Sequence, residues 1–404
     1  MIAYLKAVRY PTIGNGLWDS TGTVVSNAYD IDVSLSIGNL NDTMNFSIAN
    51  TKNLVTSTWN INDKVDIHLL FSGETYSSSN IIFTGIVKNI SETYSEKSKV
   101  LEFNCVSLGE VLTTGIVTAN NTNVDVMQHL QSCLNSISRV NDKFVVTWDS
   151  SNPTLKQDGV TAFPKINGGG YVTDFNVSFN TVIEKYLTDK YMQDGNYYWY
   201  VSTENKLVIR PRTNTSLYTL NEGVDFINMK YTYDPQIYNW IHIKCGFDPA
   251  NRPISTFQAD YTSIAKYGQK YYMLVNNQIA EDIMTAEGLT TSTNVYPSSY
   301  PHVCSWKDEN GNTVTATNDN DFRNKFREQA KVAGKSYAQK FISMNSGLRK
   351  KFTLILTPSR NYTLGTVITV NAPSYNMVSK KMRITDIQYS GINTILTVKE
   401  DLTL

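Results

Sequence analysis

The end of this chain repeats the pattern of its beginning, and a repeat restricts the possible folds more than composition does. Within residues 63–107 the sequence reads DKVDIHLLF, then IIFTGIVKNI, then, after a polar link, KVLEFNCVS. Near the other terminus GTVITVNAP is followed by KKMRITDIQYS, a short link and NTILTVKEDL. Each set reads as three successive strands in one order, and two such modules in one chain suggest an internal duplication. Closed symmetry then multiplies the faces: three chains with two equivalent modules each would display six near-equivalent ones.

At 404 residues the chain is too long for one ordinary core, so two to four domains are expected, and 41% hydrophobic residues suffice to fill them. Lys plus Arg and Asp plus Glu each number 36, giving no net charge. A strongly basic patch for gripping nucleic acid or an anionic membrane is therefore not indicated, and DNA contact is expected only in passage. Abundant Asn, Ser and Thr with 25 tyrosines suit exposed β-structure and large intersubunit surfaces. Cys105, Cys133, Cys245 and Cys304 are far apart in sequence and read as free, mostly buried thiols; no metal or other cofactor is expected. The N-terminal MIAYLKAVRY lacks the layout of a signal peptide, and no run approaches a membrane span, so folding in a cytoplasm without stable membrane insertion is expected.

Residues 1 to about 110 alternate at period two, as in IDVSLSI and MNFSIAN, and read as a β-barrel or sandwich module. Val126, Met127, Leu130, Cys133, Leu134 and Ile137 then fall at helical spacing, with Asn123 as the expected cap. A second helix carries Phe179, Val182, Ile183, Tyr186 and Leu187 on one face. Between them, residues 150–171, with Gly168, Gly169 and Gly170, read as a long functional or mobile loop. A hairpin turning at Glu204 and Asn205 follows, then strands over FINMKYTYD and QIYNWIHIKCG. A short helix is expected near residues 279–286. The longest helix is expected from about 321 to 344, with Phe322, Phe326, Ala330, Ala333, Tyr337 and Phe341 as its apolar stripe.

Chemistry-bearing clusters are sparse. His68, His129, His242 and His302 lie in separate segments; His129 sits between apolar helix positions and His242 inside a strand, where a structural role is the simpler reading. The pairs Asp189/Asp194 and Asp319/Asp321 could in principle serve glycoside cleavage, but they flank helix ends, where capping accounts for acids. No serine elbow, zinc-protease helix or phosphate loop occurs, so no catalytic residue is nominated and an enzyme is not expected. Tyr197, Tyr198, Trp199 and Tyr200 could form a sugar platform, yet a strand whose alternate rings fill a core and an interface explains them more simply.

Five segments in order, FSIANTKN, IFTGIVKNI, DPQIYNWIHIKCG, DYTSIAKYGQK and the closing MRITDIQYS…TILTVKEDL, resemble the baseplate hub proteins of phage tails and related contractile injection systems. The resemblance runs over nearly the whole chain. It implies a mainly β fold with α+β accessory domains: two tail-tube-type antiparallel β-barrels related by duplication, with helical insertions. The first barrel would span residues 1–110 and an accessory domain 111–216. The second barrel would be assembled from 217–248 and 345–404, and 249–344 would form a second accessory domain ending in the long helix, which would back that barrel. It further implies a homotrimeric, pseudo-sixfold ring in the virion baseplate, between the hexameric tail tube protein and the threefold central spike protein. Tape-measure protein and DNA would pass through its channel, and baseplate wedge proteins would surround it. Thr- and Ser-rich rims at residues 51–58 and 357–363 are the expected contacts. A tail-associated peptidoglycan hydrolase and a carbohydrate-binding adhesin are the alternative readings.

Overall fold

A computed structural model describes residues 2–13, 18–39, 41–49, 58–95, 98–138, 145–155, 159–160, 162–163, 165–190, 197–213, 215–234, 237–248, 252–277, 279–280, 283, 305–307, 312–315 and 319–400. The first module contains β1 (Ala3–Tyr10), β2 (Thr23–Val25), β3 (Ala28–Ser36), β4 (Thr43–Ala49), β5 (Lys64–Phe71), β6 (Ile81–Ser95) and β7 (Ser98–Ser107). Period-two alternation decides which side of these strands is buried. In β4, Met44, Phe46 and Ile48 point into the core while Asn45 is exposed. Six consecutive residues of β5 are buried because both its faces are covered, and its polar members are hydrogen-bonded accordingly. Thr84 donates to Asp66 at 2.9 Å, and His68 Nδ1 lies 2.7 Å from Asn80 Oδ1.

An accessory domain follows: α1 (Glu110–Thr114), β8 (Ile116–Thr122), α2 (Val126–Ser138), β9 (Thr147–Trp148), β10 (Tyr171–Ser178), α3 (Phe179–Glu184) running into a π-helical turn (Lys185–Lys190), β11 (Tyr197–Val201) and β12 (Lys206–Pro211). The apolar faces expected for both helices are buried together in one cluster. The cap of α2 is a correction: Asp125 Oδ1 accepts from the Gln128 amide at 2.9 Å, and Gln128 Oε1 accepts from the Asp125 amide at 3.1 Å. That reciprocal pair closes the first turn. Asn123 lies outside the helix at φ 55°, its amide bonded to Gly169 O. The turn at Glu204 and Asn205 joins β11 to β12 as expected, Asn205 taking φ 58°.

The chain re-enters the large sheet with β13 (Ser216–Asn221) and β14 (Phe226–Asp234), and leaves it for β15 (Trp240–Phe247), β16 (Pro253–Ala259), α4 (Tyr261–Tyr267), β17 (Tyr271–Val275), β18 (Ser305–Lys307), β19 (Thr313–Thr315) and α5 (Asp319–Asn345). It closes with β20 (Arg349–Leu356), β21 (Val367–Ala372), β22 (Met377–Ser390) and β23 (Asn393–Glu400). The fold is mainly β. The two modules are two runs of one 13-stranded sheet: β3-β4-β7-β6-β5-β1-β2 and β14-β20-β23-β22-β21-β13, joined where β22 pairs antiparallel with β3. One apolar cluster extends through both, from Ala7 and Phe46 to Phe352 and Val398.

Two expectations need correction. β15, placed in the second barrel by sequence, forms a separate sheet with β16 and β17, and α5 covers that sheet and not the barrel. The reason lies in β15: Ile241, Ile243 and Cys245 alternate on one face, and Phe326, Ala330, Ala338 and Ile342 of α5 bury it. Ala333, Tyr337 and Phe341 flank this stripe and are only partly buried; the Phe322 side chain lies outside the described residues. Most of the segment expected as a helix near 279–286 also lies outside them, though Ile279 and Ala280 are buried here.

Gly334 sits where α5 lies against Cys245 of β15. A Cβ there would meet the Cys245 sulfur, with Thr256 and Ile243 next. Gly334→Ala is therefore expected to destabilise the protein although alanine is the better helix former by about 1 kcal/mol. Adding Cys245→Ala should restore stability, a positive coupling readable from a double-mutant cycle of urea unfolding.

A second prediction concerns the joint between modules. Asp42 is 2% exposed, and its Oδ1 accepts from the Ser36 amide at 2.9 Å. Burial pushes its carboxyl up to about 7; the Ser36 bond opposes this and the Asp386 charge adds to it. The folded pKa lies above the ordinary 3.8, so the folded state binds the proton more tightly than the unfolded one. This contribution to stability is full below 3.8 and is lost as pH rises through 7. The melting temperature should fall between pH 5 and pH 8, and Asp42→Asn, which keeps an acceptor for Ser36, should be the more stable protein at pH 8.

Candidate assembly edges and a buried histidine cluster

Strand edges are the parts of a β-protein that remain chemically unsatisfied, since each presents a row of unpaired amides and carbonyls. The two modules can be matched residue by residue through their hydrogen bonds. The Val87 amide donates to Asp63 O at 2.9 Å and the Asn62 amide to Val87 O at 2.8 Å; the Ile384 amide donates to Thr366 O at 2.9 Å and the Gly365 amide to Ile384 O at 2.8 Å. Val87 starts a rung Val87–Cys105–Met44–Val33, and Ile384 starts a rung Ile384–Val398–Phe352–Tyr231. Both central strands then shift register, between Val87 and Asn89 and between Ile384 and Asp386. β6 thus corresponds to β22, and β14 to β3.

Beyond these bulges the matched strands meet different fates. Residues 386–390 of β22 pair with residues 36–32 of β3, Ile387 opposite Leu35 and Tyr389 opposite Val33. Residues 89–93 of β6 pair with β7 on one side, and on the other no strand faces them among the described residues. The outer edge of β14 is open in the same sense, with β20 as its sole described partner. Lys230, Thr232 and Tyr233 of β14 are exposed, as are Asn89, Ser91, Glu92 and Thr93 of β6.

Of the rims expected to face neighbours, residues 357–363 link β20 to β21. Arg360 anchors this link, donating to Glu74 at 2.6 and 3.0 Å and to Leu69 O at 3.1 Å with its guanidinium 5.0 Å from the Phe71 ring, while Thr357, Asn361 and Thr363 are exposed. Residues 51–57 lie outside the described residues, and Thr58 O accepts from Arg9. The aromatic run is internal on both faces. Tyr197 and Trp199 are buried in the accessory core. Tyr200 packs against the main core, and Tyr198 stacks on it at 6.4 Å, its ring lying against Gly365 and beneath Arg383. That is the core-and-interface reading, not a sugar platform.

Of the four histidines, one lies in a charged cluster. His129 on α2 is fully buried, with Nε2 2.9 Å from Asp174 Oδ2 and Nδ1 3.0 Å from Asn121 Nδ2. Ser132 donates to Asn121 Oδ1, which turns the amide so that Nδ1 accepts and Nε2–H donates to the carboxylate. Lys185 and Tyr186 also donate to Asp174, at 2.8 and 2.7 Å. Burial opposes the charge of Asp174, yet the bonds from His129, Lys185 and Tyr186 outweigh it and hold the carboxyl at about 2. Cys133 Sγ lies 3.5 Å from the same Nε2, and burial, reinforced by Asp174, pushes its thiol up to about 12. Cys133, His129 and Asp174 offer ligand atoms within 4.8 Å of one another, but Lys185 already answers the carboxylate charge. A nucleophile–base–acid relay needs the thiol and the carboxylate on different ring nitrogens. Here both face Nε2, and the arrangement acts as a polar clasp between α2, β10 and the π-helical turn after α3. Asp174 was not legible in sequence as the partner of His129, because YVTDFNVS shows only strand alternation.

His68 is held by Asn80, and His242 Nδ1 lies 3.5 Å from the Tyr271 hydroxyl. His302, Cys304, Asp194 and the side chains of Asp189 and Asp319 lie outside the described residues, and Asp321 sits in the first turn of α5.

No family model and no curated protein matches this chain. Among solved structures it is similar to the 43 kDa tail protein of prophage MuSo2 from Shewanella oneidensis, with 11% identity, 98% of each chain covered and a TM-score of 0.54. It is also similar to a tail protein from Neisseria meningitidis MC58, with 11% identity, 99% of this chain and 97% of that one covered and a TM-score of 0.57. The fold is that of tail proteins, over the full length.

Asp174 yields a prediction with a sign opposite to that of Asp42. Its folded pKa of about 2 lies below the ordinary 3.8, so its contribution is present above 3.8 and is lost as pH falls through 2. Asp174→Asn should lower the unfolding free energy by ~2–4 kcal/mol at pH 7, since it strands the buried His129 donor and removes the Lys185 ion pair. The deficit should shrink toward pH 2 in denaturant titrations.

Proposed function

We propose that this protein is the structural hub of a phage tail baseplate. Three copies form a pseudo-sixfold ring that adapts the hexameric tail tube to the threefold central spike and surrounds the channel for tape measure and DNA. One observation carries this reading: β22 and β3 join the two modules edge to edge, while no strand among the described residues pairs with the matching edges of β6 and β14. A chain that holds one copy of a joint and both halves of a second can repeat the joint with its neighbours and close. The matched rungs support duplication as the origin of the two modules, and the full-length likeness to tail proteins supports the setting.

The net charge of zero suits a wall past which DNA slides, because no excess of cations holds the phosphates. Tube, spike, tape-measure and wedge proteins are the partners, and the virion tail is the location. The role is structural. Support over the hydrolase reading comes from the buried His129 cluster, which lacks relay geometry, and support over the adhesin reading from the aromatic run, whose rings are all packed internally.

Light scattering on the purified protein should give three times the 45.5 kDa chain mass, and negative-stain images should show a ring with an axial opening. A monomer, or a dimer with twofold symmetry, at micromolar concentration overturns the proposal.

A further inference from the structure

The geometry points to a specific seam between copies, resting on the ring reading: residues 89–93 of β6 in one chain pair antiparallel with residues 234–230 of β14 in the next. The internal β22–β3 joint supplies the template. Tyr389 stands five residues beyond Ile384 and pairs with Val33, the end of the first-module rung. Glu92 stands five residues beyond Val87, and Tyr231 ends the second-module rung. The same offset sets Asn89 opposite Asp234, Ile90 opposite Tyr233, Ser91 opposite Thr232, Glu92 opposite Tyr231 and Thr93 opposite Lys230. A slip of one residue would put every side chain on the wrong face, so the register is tightly specified.

Side-chain character fits this register at Ile90, Ser91 and Thr93, whereas exposed Glu92 stands where the internal joint has buried Tyr389. In the internal joint, Ile387 and Tyr389 face Leu35 and Val33 on the buried side, and exposed Gln388 faces exposed Ser34 on the other. In the seam, Ile90, already packed against the main core, covers Tyr233, which is 53% exposed in the single chain. Ser91 and Thr232, both exposed, form a polar pair on the opposite side, as do Thr93 and Lys230. The occupant of each open edge is therefore a second copy of this chain, in a head-to-tail contact that uses different strands on its two sides.

Directly opposed residues of an antiparallel pair bring their Cβ atoms to about 4.5–5.5 Å, within disulfide reach, whereas a two-residue offset gives about 7–8 Å, which is too far. The test uses the full-length protein with Ser91→Cys and Thr232→Cys in a Cys304→Ser background; Cys105, Cys133 and Cys245 are buried. After mild oxidation, a non-reducing denaturing gel should show a ladder ending at three chains. Each single variant should stay at one chain, and a mixture of the two singles should stop at two. The offset pair Ser91→Cys/Lys230→Cys should not cross-link. A trimer by light scattering that cross-links only in the offset pair, or in neither, overturns the seam and leaves the ring standing. A ladder running past three overturns the ring and leaves the seam. Monomers throughout, or self-linking of the Ser91→Cys variant, overturn the seam, and the monomers overturn the ring as well.

Discussion

Five residue pairs between β22 and β3 join the two halves of this protein into one sheet. Without the β22–β3 joint the main sheet would be two sheets, each with an additional bare edge. The joint also sets the polar chemistry around it. Ser36 donates through its hydroxyl to Asp386 at 2.7 Å and through its amide to Asp42, so two carboxylates share one strand end. Burial makes that neighbourhood unfavourable for two charges, which is why Asp42 retains its proton so far above the ordinary range. Across the modules, Arg360 ties the β20–β21 link to Glu74 and Leu69 with paired guanidinium bonds.

The accessory domain is fastened to the same joint. β11 works on both faces, sending Tyr197 and Trp199 into its own core and Tyr198 and Tyr200 against the sheet. The Gly38 amide bonds to Trp199 O, and Arg383, 2% exposed, donates to Gly365 O and to Thr213 O. Gly365 takes φ 78° and lies against the Tyr198 ring, leaving no room for a side chain. The strand that resembles a sugar platform in sequence packs between the accessory core and the main sheet.

Periodicity made the strands and the two accessory helix faces legible, because alternation and helical spacing record which side of an element avoids water. What covers that side is not recorded. β15 alternates in the manner of a barrel strand, and it is the packing of Phe326, Ala330, Gly334, Ala338 and Ile342 that reveals α5 as its cover. The apolar stripe of α5 holds as read at Phe326 and Ala330 and shifts by one position in its last turns: Ala338 and Ile342 are buried in the β15 cluster, while Tyr337 and Phe341 are only partly buried, Phe341 lying against Tyr238 and Tyr272. The clasp around His129 was invisible because its carboxylate comes from β10, 45 residues away, with no spacing to mark it. The cap of α2 was misplaced by two residues, since Asn123 and Asp125 are both good caps and only the reciprocal bond to Gln128 separates them.

The repetition between modules stops at their outermost strands. β1 lies antiparallel to β5, whereas β13, arriving from the accessory domain and not from the start of the chain, lies parallel to β21. A parallel neighbour slants its hydrogen bonds and reverses the polarity of the edge it offers. β5 is thus bordered by an antiparallel strand and its counterpart β21 by a parallel one. A partner that reads only the matched rungs meets one pattern twice in each chain, while one that reads the backbone of β1 or of β13 meets its pattern once.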